Sequence, residues 1–128
     1  MEQRTGRTGC TILLVDDDPL ISMSTAEMLM DLGHQVVEAS SGSMALEILR
    51  AGTKVDVVMT DQAMPGMTGV ELAAQIRASW PSVAIILATG YAELPKGSGL
   101  ELPQIDKPYS HEDLADAIGR LTAGKVPS

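Results

Sequence analysis

Short runs of mostly apolar residues alternate with amphipathic stretches along nearly the whole chain. The short runs occupy residues 11–15, 35–39, 55–60, 83–88 and 104–106. Their length and their content of Val, Ile and Leu predict β-strands. Between them, apolar residues recur at intervals of three and four, which predicts helices that each bury one face.

Capping residues mark where the predicted helices begin and end. Asp18 precedes Pro19 at the start of the first helix, and Gly33 ends it. Two pairs have the spacing of a capping box ahead of the third and the last helix, namely Thr68 with Glu71 and Ser110 with Asp113. The core-facing positions predicted for the first helix are Ile21, Thr25, Met28, Leu29 and Leu32.

The order of these elements predicts the fold. Strands that alternate with helices and are apolar throughout are typical of a parallel sheet covered on both faces. Five such strands indicate an α/β, flavodoxin-like, doubly wound sheet in the order 2-1-3-4-5. The stretch between the fourth and fifth strands has three glycines, two prolines and no helical period, so we expect mostly loop there, with at most one helical turn near residues 91–94.

Composition is consistent with one globular domain of 128 residues, of which 45% are apolar. We expect a flexible lead-in at residues 1–10, the domain at 11–122 and a tail at 123–128. Eight methionines and no phenylalanine suggest that methionine mainly fills the core. The net charge of −8 argues against direct binding to nucleic acid, and no apolar run is long enough for membrane insertion. A single cysteine, Cys10, suits a reducing, cytoplasmic setting.

The polar residues that could carry chemistry follow the predicted strands. In a sheet of this type, ligands bind at the carboxyl ends of the strands, near the point where the strand order reverses. The residues at those ends are Asp16, Asp17 and Asp18 after the first strand, Asp61 after the third, Thr89 after the fourth and Lys107 after the fifth. Asp18 is explained by capping, and Asp61, Thr89 or Lys107 alone could be an ordinary turn residue. Their convergence on one edge favours a functional site.

The residue types at that edge suit phosphoryl chemistry. Carboxylates grouped on one rim form the hard, oxygen-lined site that Mg²⁺ prefers. Lys107 can offset part of their charge and hold a phosphoryl oxygen, and the hydroxyl of Thr89 can bond another. A carboxylate in this setting can act as a nucleophile and form an acyl phosphate, which makes Asp61 a candidate phosphoryl acceptor.

Four motifs occur in an order that resembles a known family. "ILLVDDDP", "DQAMPGMTG", "ILATG" and "DKP" make residues 11–122 similar to the response-regulator receiver domain of two-component signalling, with its CheY-like version of the flavodoxin fold. The resemblance implies that Asp61 is phosphorylated. It also implies that Asp16 and Asp17 hold Mg²⁺, or Mn²⁺ in its place, with Asp17 as the more direct ligand. The backbone carbonyl of Ala63 would complete the metal site.

The same resemblance implies roles for residues near the later strands. Thr89 matches a hydroxyl that moves onto the phosphoryl group, and Lys107 matches a lysine that pairs with it. Pro108 matches a proline that often follows a cis peptide bond. Pro65 and Gly69 belong to the turn that leads the chain away from Asp61 into the next helix.

The chain departs from the family pattern after the fourth strand and in the fifth. Gln104 stands where an aromatic switch residue is usual, and Gly90 and Tyr91 follow Thr89. These residues resemble a subgroup with a Phe-Ala-Thr-Gly-Gly/Tyr motif and receivers of hybrid kinases, except that the motif begins here with Leu87. We expect a short or irregular fourth helix. We also hypothesise that Tyr91, or an order–disorder change in residues 90–103, replaces the usual switch.

The function that these features predict is a phospho-accepting receiver module of a two-component phosphorelay. The module would take its phosphoryl group from a sensor histidine kinase or a histidine phosphotransfer domain, present a changed surface to a downstream protein partner, and turn over no external substrate. One alternative is a small Mg²⁺-dependent phosphohydrolase in which Asp16 of the Asp-x-Asp pattern is the nucleophile. Leu20 is unusual for that motif. Another alternative is a docking-only pseudo-receiver, although the acidic residues, Thr89 and Lys107 are all present.

Overall fold

Five parallel strands form a single sheet in the order β2-β1-β3-β4-β5. The computed structural model describes residues 9–89 and 103–123. The strands are β1 (Thr11–Val15), β2 (Gln35–Ala39), β3 (Val57–Asp61), β4 (Ala84–Thr89) and β5 (Gln104–Asp106). The predicted flavodoxin-like order is confirmed, and it places the carboxyl ends of β1 and β3 side by side.

The described helices are α1 (Pro19–Asp31), α2 (Gly42–Arg50), α3 (Gly69–Ser79) and α4 (His111–Ala123). The predicted caps are present. The Asp18 carboxylate accepts hydrogen bonds from the first-turn N–H groups of α1, and Gly33 adopts a φ of 96° just beyond its end. Thr68 and Glu71 form a reciprocal capping box. A second reciprocal pair begins α4, between Ser110 and Asp113.

The core lies on both faces of the sheet. Alternate strand residues pack against α2 and α3 on one face and against α1 and α4 on the other. Leu72 and Ile76 of α3 and Leu114 of α4 have no exposed surface. Full burial of such side chains stabilises the fold by about 1.5–3 kcal/mol each. Every residue of β3 is buried, so the core surrounds the strand that carries Asp61.

The prediction that Ile21 faces the core was wrong, because its side chain is 40% exposed. The buried face of α1 consists instead of Ser22, Thr25, Ala26 and Leu29. The Ser22 hydroxyl donates a 2.8 Å hydrogen bond to the Glu38 carboxylate, so a polar side chain occupies an inward position. An apolar period alone does not reveal such a position.

The expectation that methionine mainly fills the core was also wrong for three residues. Met59 and Met64 are buried, but Met23, Met30 and Met44 are exposed by 56%, 53% and 42%. Met67 and Met28 are partly buried against the core, and most of the buried core residues are branched aliphatics, as expected.

The third and fourth strands are shifted relative to the sequence prediction. β3 begins at Val57 rather than at residue 55 and includes Asp61, and β4 ends at Thr89 rather than at residue 88. Both polar residues therefore belong to strands. Their backbone positions are set by the ladder between β3 and β4 and by the ladder between β4 and β5.

Several sequence predictions fall outside the described residues. They concern the short or irregular helix between β4 and β5, Gly90 and Tyr91, most of the lead-in and most of the tail.

His34 links the amino ends of the first two strands, far from the acidic edge. Its Nδ1 accepts a 3.0 Å hydrogen bond from the backbone N–H of Cys10. Burial lowers the pKa of His34 below its ordinary value of 6.5. The folded protein therefore favours the neutral imidazole, which is also the form whose Nδ1 can accept the bond.

We expect His34 to make the free energy of unfolding depend on pH. Because the unfolded chain protonates His34 more readily, its contribution is fully present above about pH 6.5 and is lost as the pH falls toward the lowered native pKa. Urea unfolding at a series of pH values between about 7 and 5.5 should show a smaller loss of stability for His34→Asn than for wild type, by at most about 1.4 kcal/mol per pH unit. His111→Asn is the control. It removes an exposed imidazole whose Nε2 lies 3.3 Å from Asp31 Oδ2, and it should not make the loss of stability smaller than in wild type. An unchanged slope in His34→Asn would contradict the prediction.

Candidate functional site

Three carboxylates meet at the carboxyl edge of the sheet. Asp16 and Asp17 follow β1, and Asp61 ends the adjacent strand β3. One oxygen from each lies within 4.8 Å of the others. Asp16 and Asp61 are buried, whereas Asp17 is exposed, so the cluster is enclosed on one side and open to water on the other. This donor set fits a hard divalent cation that keeps part of its hydration shell.

The Asp16 carboxylate is held by the backbone that follows it. Its Oδ1 accepts a 2.9 Å hydrogen bond from the N–H of Asp18. Burial raises the pKa of Asp16 above its usual value, and the nearby charge of Asp61 adds to this, while the Asp18 hydrogen bond opposes it. A cation at the cluster would remove the repulsion between these carboxylates.

Lys107 reaches Asp61 from the opposite side of the cluster. Its Nζ lies 2.5 Å from Asp61 Oδ1, and the two side chains are only 23% and 8% exposed. The backbone N–H of Lys107 donates a 2.8 Å hydrogen bond to the carbonyl of Thr89. The Asp61 carboxylate therefore lies between a cationic group and two other carboxylates.

Thr89 lies on the same edge of the sheet, one strand away from Asp61. Asp61 is paired with Ala88 in the ladder between β3 and β4, so Thr89 is one residue further along. Thr89 is 5% exposed and is paired with Asp106 of β5. The structure therefore brings five predicted residues to one edge, namely Asp16, Asp17, Asp61, Thr89 and Lys107.

The loop after Asp61 is closely packed. The Gln62 carbonyl accepts a 3.1 Å hydrogen bond from the N–H of Gly69. A Cβ atom on Gly69 would lie 2.5 Å from the Asp61 carbonyl oxygen and 2.6 Å from Leu87 Cδ1. Gly66 has a φ of 84°, which favours glycine. The chain can therefore turn directly from the strand into α3.

Ala63, Pro65 and Pro108 lie in the loops that follow β3 and β5 at this edge, whereas Gln104 lies at the start of β5. Ala63 is exposed, two residues beyond Asp61, and Pro65 lies in the same loop. The Lys107–Pro108 peptide bond is cis. Gln104 is exposed at the first position of β5.

Two features of the site were missed in the sequence. The side chain of Gln62 is 4% exposed and accepts a 2.9 Å hydrogen bond from the first-turn N–H of Val70. The hydroxyls of Thr25 and Tyr109 are 2.7 Å apart. The available signals were the polar residues Gln62 and Tyr109 within the "DQAMPG" and "DKPY" segments. Neither segment indicates which group the side chain bonds.

A cavity of about 450 Å³ opens beside the acidic cluster. It is lined by Asp16, Asp17 and Glu38 together with serine and methionine side chains that include Met23 and Met44. Both methionines are exposed, so the acidic cluster has an apolar border. This opening gives a larger molecule access to Asp16 and Asp17, the two carboxylates of the cluster that line it.

The chain matches a known protein family over most of its length. The model of the response regulator receiver domain covers residues 12–119. The chain belongs to this family, whose domains occur in response regulators and sensor kinases.

Several characterised proteins are similar to the chain. Sensor kinase CckA of Brucella abortus is 35% identical over 94% of this chain, and the sporulation initiation phosphotransferase F of Bacillus subtilis is 30% identical over 84%. The match covers 89% of the Bacillus protein. By contrast, the chain spans only 13% of CckA and 25% of response regulator protein FleR of Pseudomonas aeruginosa.

Solved structures have the same fold. A response regulator receiver domain protein from Clostridium thermocellum gives a TM-score of 0.83 at 29% identity, with 91% of this chain and 96% of that chain covered. Response regulator TrrA of Thermotoga maritima, solved in complex with Mg²⁺-BeF, gives a TM-score of 0.80 at 31% identity, with 88% and 98% covered. None of the helices within residues 9–89 and 103–123 has the length and apolar content needed to cross a bilayer.

Proposed function

We propose that this receiver domain accepts a phosphoryl group on Asp61. The observation that carries the proposal is the position of that carboxylate. Asp61 is buried at a strand end, paired with Lys107 and grouped with Asp16 and Asp17, which line an open cavity. A nucleophile in this setting is oriented before the donor arrives, which lowers the cost of reaching the transition state.

The donor set supports a resident Mg²⁺, or Mn²⁺, held by Asp16, Asp17, Asp61 and the backbone carbonyl of Ala63. When bound, the ion supplies positive charge that offsets the charge of the phosphoryl oxygens. Asp17 is the exposed carboxylate and suits direct coordination, whereas Asp16 already accepts the Asp18 N–H and completes the negative charge of the site.

The transfer itself is a displacement at phosphorus. An Asp61 carboxylate oxygen forms the new O–P bond while the N–P bond of a phosphohistidine donor breaks, and the imidazole nitrogen keeps the electron pair. Lys107, which neutralises the carboxylate before the reaction, then holds a phosphoryl oxygen. The hydroxyl of Thr89 binds another. Hydrolysis of the acyl phosphate returns Asp61 and inorganic phosphate.

The response to phosphorylation is proposed to involve the segment after β4. Because Gln104 replaces an aromatic switch residue, we assign the change to Gly90 and Tyr91, directly after Thr89. Pro65, Gly69 and Pro108 shape the loops that carry the reacting groups. The new phosphoryl charge would thereby alter the surface offered to a downstream protein partner.

The donor is proposed to be a sensor histidine kinase or a histidine phosphotransfer domain in the cytoplasm. The similarity to a protein named as a sensor kinase and to one named as a sporulation phosphotransferase supports this choice. The net charge of −8 supports a protein partner over nucleic acid. Receiver domains are in general phospho-acceptors, and we propose that this one turns over no external substrate.

The proposal is tested by the intact mass of the protein after incubation with acetyl phosphate. We expect one added phosphoryl group in the presence of Mg²⁺ and none when EDTA removes the metal, because three carboxylates without a cation repel an anionic donor. Restoring Mg²⁺ in excess should restore the modification. Equal modification with and without Mg²⁺ would contradict the proposed role of the metal. Absence of modification by both acetyl phosphate and a phosphorylated histidine kinase would contradict the proposed function.

A further inference from the structure

A hydrogen bond between two hydroxyls connects distant parts of the chain near the site. Thr25 Oγ1 and the Tyr109 hydroxyl are 2.7 Å apart and 84 residues apart in sequence. Thr25 is 1% exposed on the inner face of α1, and Tyr109 is half-buried. Burying a hydroxyl without a hydrogen-bond partner costs free energy of folding. This bond therefore favours one arrangement of the two segments.

The bond joins the segments that carry the two sides of the site. Tyr109 is two residues after Lys107, in the loop between β5 and α4. Thr25 lies on α1, the helix that begins shortly after Asp16 and Asp17. Tyr109 therefore connects the loop between β5 and α4, which carries Lys107 and is called the lysine loop, to the helix that follows Asp16 and Asp17.

The lysine loop has a second fixed point on its other side. The backbone N–H of Lys107 donates to the carbonyl of Thr89 at 2.8 Å. Only Pro108 separates this anchored residue from Tyr109. The position of the lysine backbone is thus defined by β4 on one side and by α1 on the other.

The loop has room to move if the Thr25–Tyr109 hydrogen bond is lost. A cavity of about 530 Å³ lies between α1 and the loop, lined by Leu20, Ile21, Thr25, Lys107 and Tyr109 among others. Burial raises the pKa of Tyr109 above its ordinary value of 10, although the Thr25 bond opposes this. The phenol is therefore protonated at neutral pH and able to donate.

We propose that the Thr25–Tyr109 hydrogen bond positions Lys107 for phosphoryl transfer to Asp61. The inference rests on the proposed function, because Lys107 takes part in phosphoryl transfer only if Asp61 is the acceptor. Thr25 and Tyr109 are positioning residues, which act through Lys107. Without the bond, the loop fluctuates into the adjacent cavity, and the Lys107 ammonium spends less time at Asp61.

The test compares Thr25→Val, which keeps the shape and removes the hydroxyl, with Thr25→Ser, which keeps the hydroxyl. Tyr109→Phe removes the other partner. The first readout is the NMR signal of the Lys107 ammonium in unphosphorylated protein, assigned with Lys107→Arg. We expect this signal to shift and broaden in Thr25→Val and in Tyr109→Phe, and to stay as in wild type in Thr25→Ser.

The second readout is the rate of Mg²⁺-dependent phosphorylation by acetyl phosphate. A displacement of a catalytic group by a fraction of an ångström slows a reaction measurably, so we expect a loss of about three- to tenfold in Thr25→Val and in Tyr109→Phe. The double variant should be no slower than either single variant, because all three lack the same bond. Thr25→Ser should retain the wild-type rate.

These outcomes separate the two proposals. If wild type accepts no phosphoryl group, the proposed function fails, and the ammonium signal still decides whether the bond positions Lys107. If Thr25→Val and Tyr109→Phe lower only the midpoint of thermal unfolding, with signal and rate unchanged, the bond has a structural role and the inference is overturned. A shift and broadening of the Lys107 ammonium signal in Thr25→Ser equal to that in Thr25→Val would also overturn the inference.

Discussion

Asp61→Asn is expected to abolish phosphorylation by acetyl phosphate in the presence of Mg²⁺. The asparagine side chain has nearly the same shape, but its amide is a poor nucleophile and carries no charge for Lys107 to balance. Intact mass after incubation should show the full phosphoryl increment in wild type and none in the variant. A modified Asp61→Asn protein would show that another residue is the acceptor.

The matched control is the same substitution at the other end of the strand. Asp56 directly precedes β3, is exposed, and accepts a 2.8 Å hydrogen bond from the backbone N–H of Thr11. An asparagine there keeps an acceptor oxygen. Asp56→Asn should therefore be phosphorylated at the wild-type rate, which separates loss of the acceptor from a general effect of losing one negative charge.

A third substitution distinguishes the phosphohydrolase alternative, in which Asp16 is the nucleophile. Asp16 is 5% exposed, and its Oδ1 is engaged by the Asp18 N–H. We expect Asp16→Asn to raise the Mg²⁺ concentration needed for phosphorylation while Asp61 remains the modified residue in peptide mapping. The alternative requires the reverse pattern, with modification lost in Asp16→Asn and retained in Asp61→Asn. A docking-only module would take no phosphoryl group in any variant.

Gly69→Ala is expected to destabilise the fold and slow phosphorylation together. The added Cβ would lie 2.5 Å from the Asp61 carbonyl oxygen and 3.0 Å from Gln62 Cα, so backbone must move on one side or the other. Overpacking of this kind costs about 1–3 kcal/mol. Urea unfolding measures the loss of stability, and the rate of mass increase with acetyl phosphate measures the displacement of Asp61.

Gly119→Ala is the control for this prediction. Gly119 lies in α4, and a Cβ there would meet nothing within 4 Å. Because alanine has the higher helix propensity, this variant should be more stable than wild type by about 0.5–1 kcal/mol, with an unchanged phosphorylation rate. If Gly69→Ala unfolds at the same urea concentration as wild type, the loop after Asp61 is less tightly packed than the contact distances indicate.

The architecture and the edge that carries the site followed from patterns in the sequence. Strand and helix types depend on the local spacing of apolar residues, and the caps at Asp18, Thr68 and Ser110 depend on neighbours within a few residues. Parallel connections then force all strands to end at one edge, so Asp61 and Thr89 could be expected near each other before any distance was known. Both strand ends were predicted to within one residue.

Only the tertiary structure decided which side chains meet at that edge and which surfaces stay exposed. The Lys107–Asp61 contact joins residues 46 apart in sequence, and the Thr25–Tyr109 bond joins residues 84 apart. The apolar pattern also failed to indicate the exposure of Ile21. The polar residue Ser22 occupies the inward position that this pattern assigned to Ile21. Hydrophobic spacing determines which face of a helix is mostly buried. The exact rotation of the helix and the pairing of buried polar groups depend on partners that the chain brings close only when it folds.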